Sequence, residues 1–137
     1  MRPTRALVAV TLTATLALTA CSQAEDAAKD AAGDAACSVA RSAVDQAGRQ
    51  ARDAVDEIGA DPKAAESDLR GIRDALATAE KGVSGDTRAR LGEARSAVER
   101  LLGQAEAAAR GAEVDTSAVQ DARGDLDRAV ADVKKLC

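Results

Sequence analysis

The residues with the most reactive side chains in this sequence are three cysteines, Cys21, Cys37 and Cys137. A thiolate can act as a nucleophile, bind a metal or form a disulfide, and a nucleophilic thiol is usually activated by a neighbouring base such as histidine. The 137-residue chain contains no histidine, tryptophan, tyrosine or phenylalanine. Imidazole catalysis, most zinc sites and stacking on sugars or bases therefore lack their usual side chains. Modification and cross-linking remain as the expected chemistry of the cysteines.

The other ionisable residues do not form a recognisable site either. Aspartates and glutamates are spread along the chain, and no spacing singles out two of them as an acid and a base. The glycines occur singly, so no phosphate-binding loop is predicted. With 19 basic and 23 acidic residues, the charge is too evenly balanced for a nucleic-acid binder. We predict that the protein is not an enzyme and has no catalytic residue, cofactor or metal.

The first twenty residues have the layout of an export signal. Arg2 and Arg5 precede an apolar stretch that runs from residue 6 to residue 20. This stretch is short for a transmembrane helix, which needs about 20 apolar residues. A basic start, a short apolar run and small residues before a cut are typical of a secretory signal peptide.

The signal ends on Leu18, Thr19, Ala20 and Cys21, and all four positions resemble the lipobox of bacterial lipoproteins. The resemblance implies that residues 1–20 are removed and that Cys21 carries a thioether-linked diacylglycerol. The protein would then be anchored by lipid at the extracytoplasmic face of the cell membrane. The alternative interpretation is ordinary secretion, with Cys21 merely near the cut.

Residues 21–36 are expected to form a tether between the anchor and the folded domain. The stretch from Ser22 to Ala36 contains no large apolar side chain, so it has little to bury. Its alanines are compatible with some helix, and the alternative is that it forms a loose first turn of the domain. The folded domain is predicted to comprise residues 37–137.

From Cys37 onwards, apolar residues recur with alternating steps of three and four, which is the pattern of amphipathic helices packed in a bundle. Val55, Leu102 and Val130 widen the apolar stripe. The first two runs are Cys37, Ala40, Val44, Ala47, Ala51, Ala54, Ile58 and Ala65, Leu69, Ile72, Leu76, Ala79, Val83. The last two are Leu91, Ala94, Val98, Leu101, Ala105, Ala108, Ala112 and Val119, Ala122, Leu126, Ala129, Val133, Leu136.

Short connections with glycines and acidic caps separate the four runs. Asp61 before Pro62 is a helix N-cap signal, and Asp86 and Asp115 are expected to cap the next two helices. Because short connections force consecutive helices to be antiparallel, the sequence predicts an all-α, up-down-up-down four-helix bundle. Its helices are expected near residues 37–59, 62–83, 87–111 and 116–136. The main alternative is a shorter hairpin that completes a bundle by dimerising.

This topology suggests a partner for Cys137. In an up-down-up-down bundle, the start of the first helix and the end of the fourth lie at the same end, so Cys37 and Cys137 are neighbours. Disulfides form in exported proteins, and we expect one between these two residues. An intermolecular bridge or a free, redox-active thiol is the alternative.

Two functions are compatible with this architecture. The first is a structural or protein-interaction module in the cell envelope, attached to the membrane through Cys21 and contacting an envelope protein. The second is a carrier that holds a lipid or another apolar ligand within the bundle. Alanine-rich helix seams leave little volume between helices, which favours the interaction module and argues against a small-molecule ligand.

Overall fold

The structure, a computed structural model, describes the backbone of residues 18–137 and the side chains of residues 28–137. Its helices are α1 (Leu18–Glu57), α2 (Pro62–Gly82), α3 (Gly85–Ala109) and α4 (Thr116–Leu136). The described backbone contains no strand, and the predicted all-α class is confirmed. The chain divides into two compact units, Met1–Ala32 and Gly33–Cys137. All four helices contribute to the second unit, which is the bundle.

Ion pairs between neighbouring helices show that these helices are antiparallel. Arg70, early in α2, lies 3.0 Å from Glu106, late in α3, whereas Glu80, late in α2, lies 2.8 Å from Arg95, early in α3. The same register is found at two other interfaces, which confirms the up-down-up-down bundle. The pairs there are Arg90–Asp132 and Arg100–Asp125 between α3 and α4, and Asp45–Lys134 and Arg52–Asp127 between α1 and α4.

The core consists of 23 buried apolar residues, and no polar side chain is buried among the described residues. The four predicted runs supply 21 of the 23, Leu102 was predicted to widen the stripe, and Ala97 was not predicted. Eleven of the 23 are alanines, so the helices bury little apolar area per residue. Two predicted core positions were wrong. Ala112 is exposed because α3 ends at Ala109 and Gly111 turns the chain with φ of 84°. Leu136 is 46% exposed because it lies in the last turn of α4.

Two of the three predicted N-caps are confirmed. The Asp61 side chain accepts a hydrogen bond from the Ala64 N–H at 3.1 Å, and the Asp115 side chain accepts one from Ala118 at the same distance. The prediction for Asp86 was wrong, because α3 begins at Gly85 and Asp86 lies in its first turn. The carboxylate is then placed where it interacts favourably with the helix dipole instead of capping.

Helix α1 is longer than predicted. The heptad run begins at Cys37, but the backbone is already helical at Leu18. Alanine has the highest helix propensity of the amino acids, and residues 22–36 are rich in it. The side chains of residues 28–35 are exposed, so this stretch is helical without contributing to the core.

Candidate functional site

The first candidate site is the end of the bundle where α1 and α4 meet. The Sγ atoms of Cys37 and Cys137 lie 2.08 Å apart, at disulfide distance, with the Cα atoms 5.2 Å apart. Both residues are half-buried, and Cys137 packs against the core. The structure therefore brings the predicted pair together at the end of the bundle.

Polar contacts support this end from several sides. The Cys137 N–H donates to the Val133 carbonyl at 3.0 Å and closes the last turn of α4. The Arg41 guanidinium donates to the Lys134 carbonyl at 3.2 Å, and Lys134 forms an ion pair with Asp45. Helix α1 thus meets α4 through a cysteine pair at disulfide distance, an ion pair and a side-chain hydrogen bond, all close together.

The predicted lipid site falls at the edge of what the structure describes. Residues 1–17 of the expected signal peptide lie outside the described residues. The backbone of Leu18, Thr19, Ala20 and Cys21 is helical, but their side chains also lie outside the described part. Within the described residues, no helix is both long enough and apolar enough to span a membrane. The described residues also contain no group of three or more Cys, Asp or Glu side chains arranged to bind a metal ion.

Exposed ion pairs line the α2–α3, α3–α4 and α1–α4 interfaces, and these faces are most simply explained as solvated surface. Arg70 bridges Glu66 on its own helix and Glu106 on α3. Glu106 therefore pairs across the bundle with Arg70 and not with Arg110, which is the partner that its helical spacing predicts. Exposed ion pairs of this kind contribute little to stability, because solvent screens them.

Asp125 is the most strongly paired carboxylate on the α3–α4 face. It accepts hydrogen bonds from Arg100 on α3 and from Arg128 on its own helix. These bonds hold the pKa of the Asp125 carboxyl below its usual value. The carboxylate is thus occupied by two structural partners and is poorly placed to act as a base.

The α1–α2 face is different, because no ion pair joins α1 to α2 anywhere between Gly33 and Cys137. Two open grooves lie along it. The first, which we call the apolar groove, has a volume of about 320 Å³ and is nearest the disulfide. Its floor and walls include Val39 and Ala43 from α1 and Ala75, Thr78, Ala79 and Gly82 from α2.

The second groove continues along the same pair of helices toward the other end of the bundle. We call it the acidic groove; its volume is also about 320 Å³. It is lined by Gln50 and Asp53 from α1 and by Ser67, Asp68 and Gly71 from α2. Neither of its two carboxylates has an ion-pair partner among the described residues.

The α1–α2 face was not predicted from the sequence. One signal was present, because Val39 lies one residue before the core position Ala40 and interrupts the polar side of α1. Val39 is 61% exposed and, with Leu136, is one of two large apolar residues exposed in the described chain. The absence of ion pairs between α1 and α2 depends on which helices are neighbours and could not be read from spacing along one helix.

Comparison with protein-family models, with curated proteins and with solved structures found no match to this chain.

Proposed function

We propose that this protein is a lipid-anchored helical module at the extracytoplasmic face of the cell membrane, where it contacts another envelope protein. The observation that carries the proposal is that two of the three cysteines pair within the bundle and the third does not. Cys37 and Cys137 lie at disulfide distance from each other. This pairing leaves Cys21, directly after the lipobox-like Leu18-Thr19-Ala20, as the cysteine that is not committed to the bundle.

Lipid is a suitable anchor for a chain of this charge. Removal of Arg2 and Arg5 with the signal leaves 17 basic against 23 acidic residues, a formal charge of about −6. Anionic lipid headgroups would repel such a chain, so attachment must come from buried hydrocarbon. Two acyl chains, each stabilised by about 0.8 kcal/mol per buried CH₂, are enough for stable anchoring.

An interaction module is favoured over an enzyme by the residues that the bundle presents. Its surface consists mainly of charged and small side chains, and the sequence supplies neither a histidine nor an aromatic residue for catalysis or stacking. A helical bundle closed by a disulfide can hold a contact surface in a fixed shape. This fixed shape reduces the ordering cost of binding a partner.

A carrier of a lipid or another apolar ligand is the second candidate, and the apolar groove is the observation in its favour. Against it, the seams inside the bundle are filled by closely packed residues, nearly half of them alanine. Native mass spectrometry of the mature protein separates the two functions. We expect no lipid beyond the covalently attached chains, and a stoichiometric non-covalent lipid would favour the carrier.

Replacement of Cys21 tests the anchor. We expect Cys21→Ser to move the protein from the membrane fraction to the soluble fraction, because the acyl chains lose their attachment atom. The matched control is Cys37→Ser/Cys137→Ser, which removes two cysteines and is expected to stay with the membrane. A Cys21→Ser variant that still sediments with membranes would contradict lipid anchoring. Incorporation of a labelled fatty acid into the parent, but not into this variant, gives a second readout.

A further inference from the structure

We propose that the α1–α2 face is the docking surface of the module, and that its occupant is an amphipathic helix of a partner protein with apolar residues toward one end and arginine or lysine toward the other. This inference rests on the proposed interaction function and specifies where and with what chemistry the contact forms. The apolar groove receives the apolar residues, and the acidic groove receives the cationic ones.

The acidic side chains of the α1–α2 face are not already paired with basic residues of a neighbouring helix. On the other three faces, arginines and lysines of one helix already neutralise acids of the next. On the α1–α2 face, Asp53 and Asp68 have no such partner among the described residues. Two unpaired carboxylates in one groove favour a cationic ligand by charge complementarity.

The apolar groove has walls that allow close approach of a helix. Its α2 wall contains Ala75, Ala79 and Gly82, and small side chains allow another helix to approach closely. Val39 stands 61% exposed at its edge, so this apolar side chain is accessible to a partner. An apolar stripe on a partner helix would cover this side chain in the helix-in-groove mode of recognition.

The two grooves are spaced suitably for one helix. Val39 and Asp53 are 14 positions apart on α1, which corresponds to about 21 Å of helix at 1.5 Å per residue. A partner helix of slightly more than four turns, about 15 residues, therefore spans both grooves. The cationic residues should lie about 14 positions from the apolar residue that covers Val39.

A second copy of this chain is a poorer occupant. Copies anchored in one membrane face the same way, so a symmetric contact between their α1–α2 faces would place one acidic groove against the other. Asp53 and Asp68 of both copies would then meet, and juxtaposed like charges oppose association. A partner with cationic residues at that position avoids this repulsion.

Site-specific photocrosslinking in cells that produce the full-length protein tests the proposal. Benzoylphenylalanine is introduced at Thr78 in the apolar groove, at Gln50 in the acidic groove, and at Ser96 on the α3–α4 side as the control position. All three side chains are exposed, so the fold should tolerate the probe, and thermal melting verifies this. The crosslinked segment of the partner is identified by peptide mass spectrometry.

We expect Thr78 and Gln50, but not Ser96, to crosslink to one helical segment whose lysine or arginine residues lie at the Gln50 side. Asp53→Asn/Asp68→Asn should reduce the crosslink yield about fivefold through the loss of two ion pairs. Val39→Asp should reduce the yield similarly, whereas Leu136→Asp, at the other exposed apolar residue outside the groove, should leave it unchanged.

Several outcomes would overturn the docking surface. These are crosslinks to a second copy or to lipid, a captured segment without basic residues, and a yield insensitive to the loss of Asp53 and Asp68. Crosslinks from Ser96 alone would also overturn it, while leaving the interaction module intact with its contact on another face. No protein crosslink from any position would count against the proposed function itself.

Discussion

Replacing both bundle cysteines, as Cys37→Ser/Cys137→Ser, is expected to lower the melting temperature of the bundle by about 20 °C. The two residues are 100 positions apart, and closing a loop of that length contributes about 4.7 kcal/mol in the chain-entropy model. Unfolding about 100 residues releases roughly 0.2 kcal/mol/K of entropy near 60 °C. Dividing the first quantity by the second gives the shift of about 20 °C.

The measurement is thermal unfolding followed by circular dichroism at neutral pH. Parent and variant are compared in a Cys21→Ser background, so that neither carries acyl chains. Reduction supplies an internal control. A thiol reductant should lower the melting temperature of the parent to that of the variant and leave the variant unaffected.

A variant that melts within about 5 °C of a parent whose Cys37–Cys137 bond has been verified by peptide mapping would contradict this prediction. This result would mean that the four helices hold together without a covalent link. With eleven alanines among 23 core residues, we expect the core to be too small for that.

Two smaller predictions concern single side chains. Gly48→Ala should stabilise the bundle by about 1 kcal/mol through helix propensity. The alanine fits because its Cβ would lie 3.6 Å from Val130 Cγ2, at ordinary van der Waals distance. Gly48→Leu should instead overfill this gap and lower the melting temperature, and equal effects of the two substitutions would contradict the close approach of α1 and α4. The Asp125 carboxyl should titrate below its usual pKa in a carboxyl NMR titration, and Arg128→Gln should raise that pKa. The pKa of Asp125 is lower in the folded protein than in the unfolded chain, so its contribution to stability is present above the unfolded pKa and disappears as pH falls through the folded pKa. An unchanged Asp125 pKa in Arg128→Gln would contradict the pairing of these two residues.

Much of the fold could be predicted from local sequence signals. Apolar spacing, with Pro62 and the caps Asp61 and Asp115, located α2 and α4 to within a residue at each end. The failures occurred where a local signal was overridden by backbone conformation or by alanine content. Gly85, with φ of 56°, starts α3 before the acidic residue predicted to cap it. The alanines of residues 22–36 extend α1 without adding a hydrophobic stripe that would have revealed the helix.

The candidate sites differ in how far sequence could locate them. The pairing of Cys37 with Cys137 followed from topology, because two thiols at one end of adjacent helices have few other partners. The α1–α2 grooves depend on which surface residues remain unpaired after the helices assemble. Arg70, for example, contacts both Glu66 on its own helix and Glu106 on α3. Helical spacing predicts the first contact, whereas only the assembled bundle shows the second.

The two candidate sites are connected through α1. On its α4 side, α1 is joined by the Cys37–Cys137 link and by ion pairs to Lys134 and Asp127. On its α2 side it has no ion pair in the bundle, and the grooves remain open there. Because α1 is held to α4 on one side, its α2 side can expose apolar and acidic side chains without α1 separating from the bundle. The disulfide therefore stabilises the position of α1 that the proposed docking surface requires, and its loss should weaken binding as well as folding.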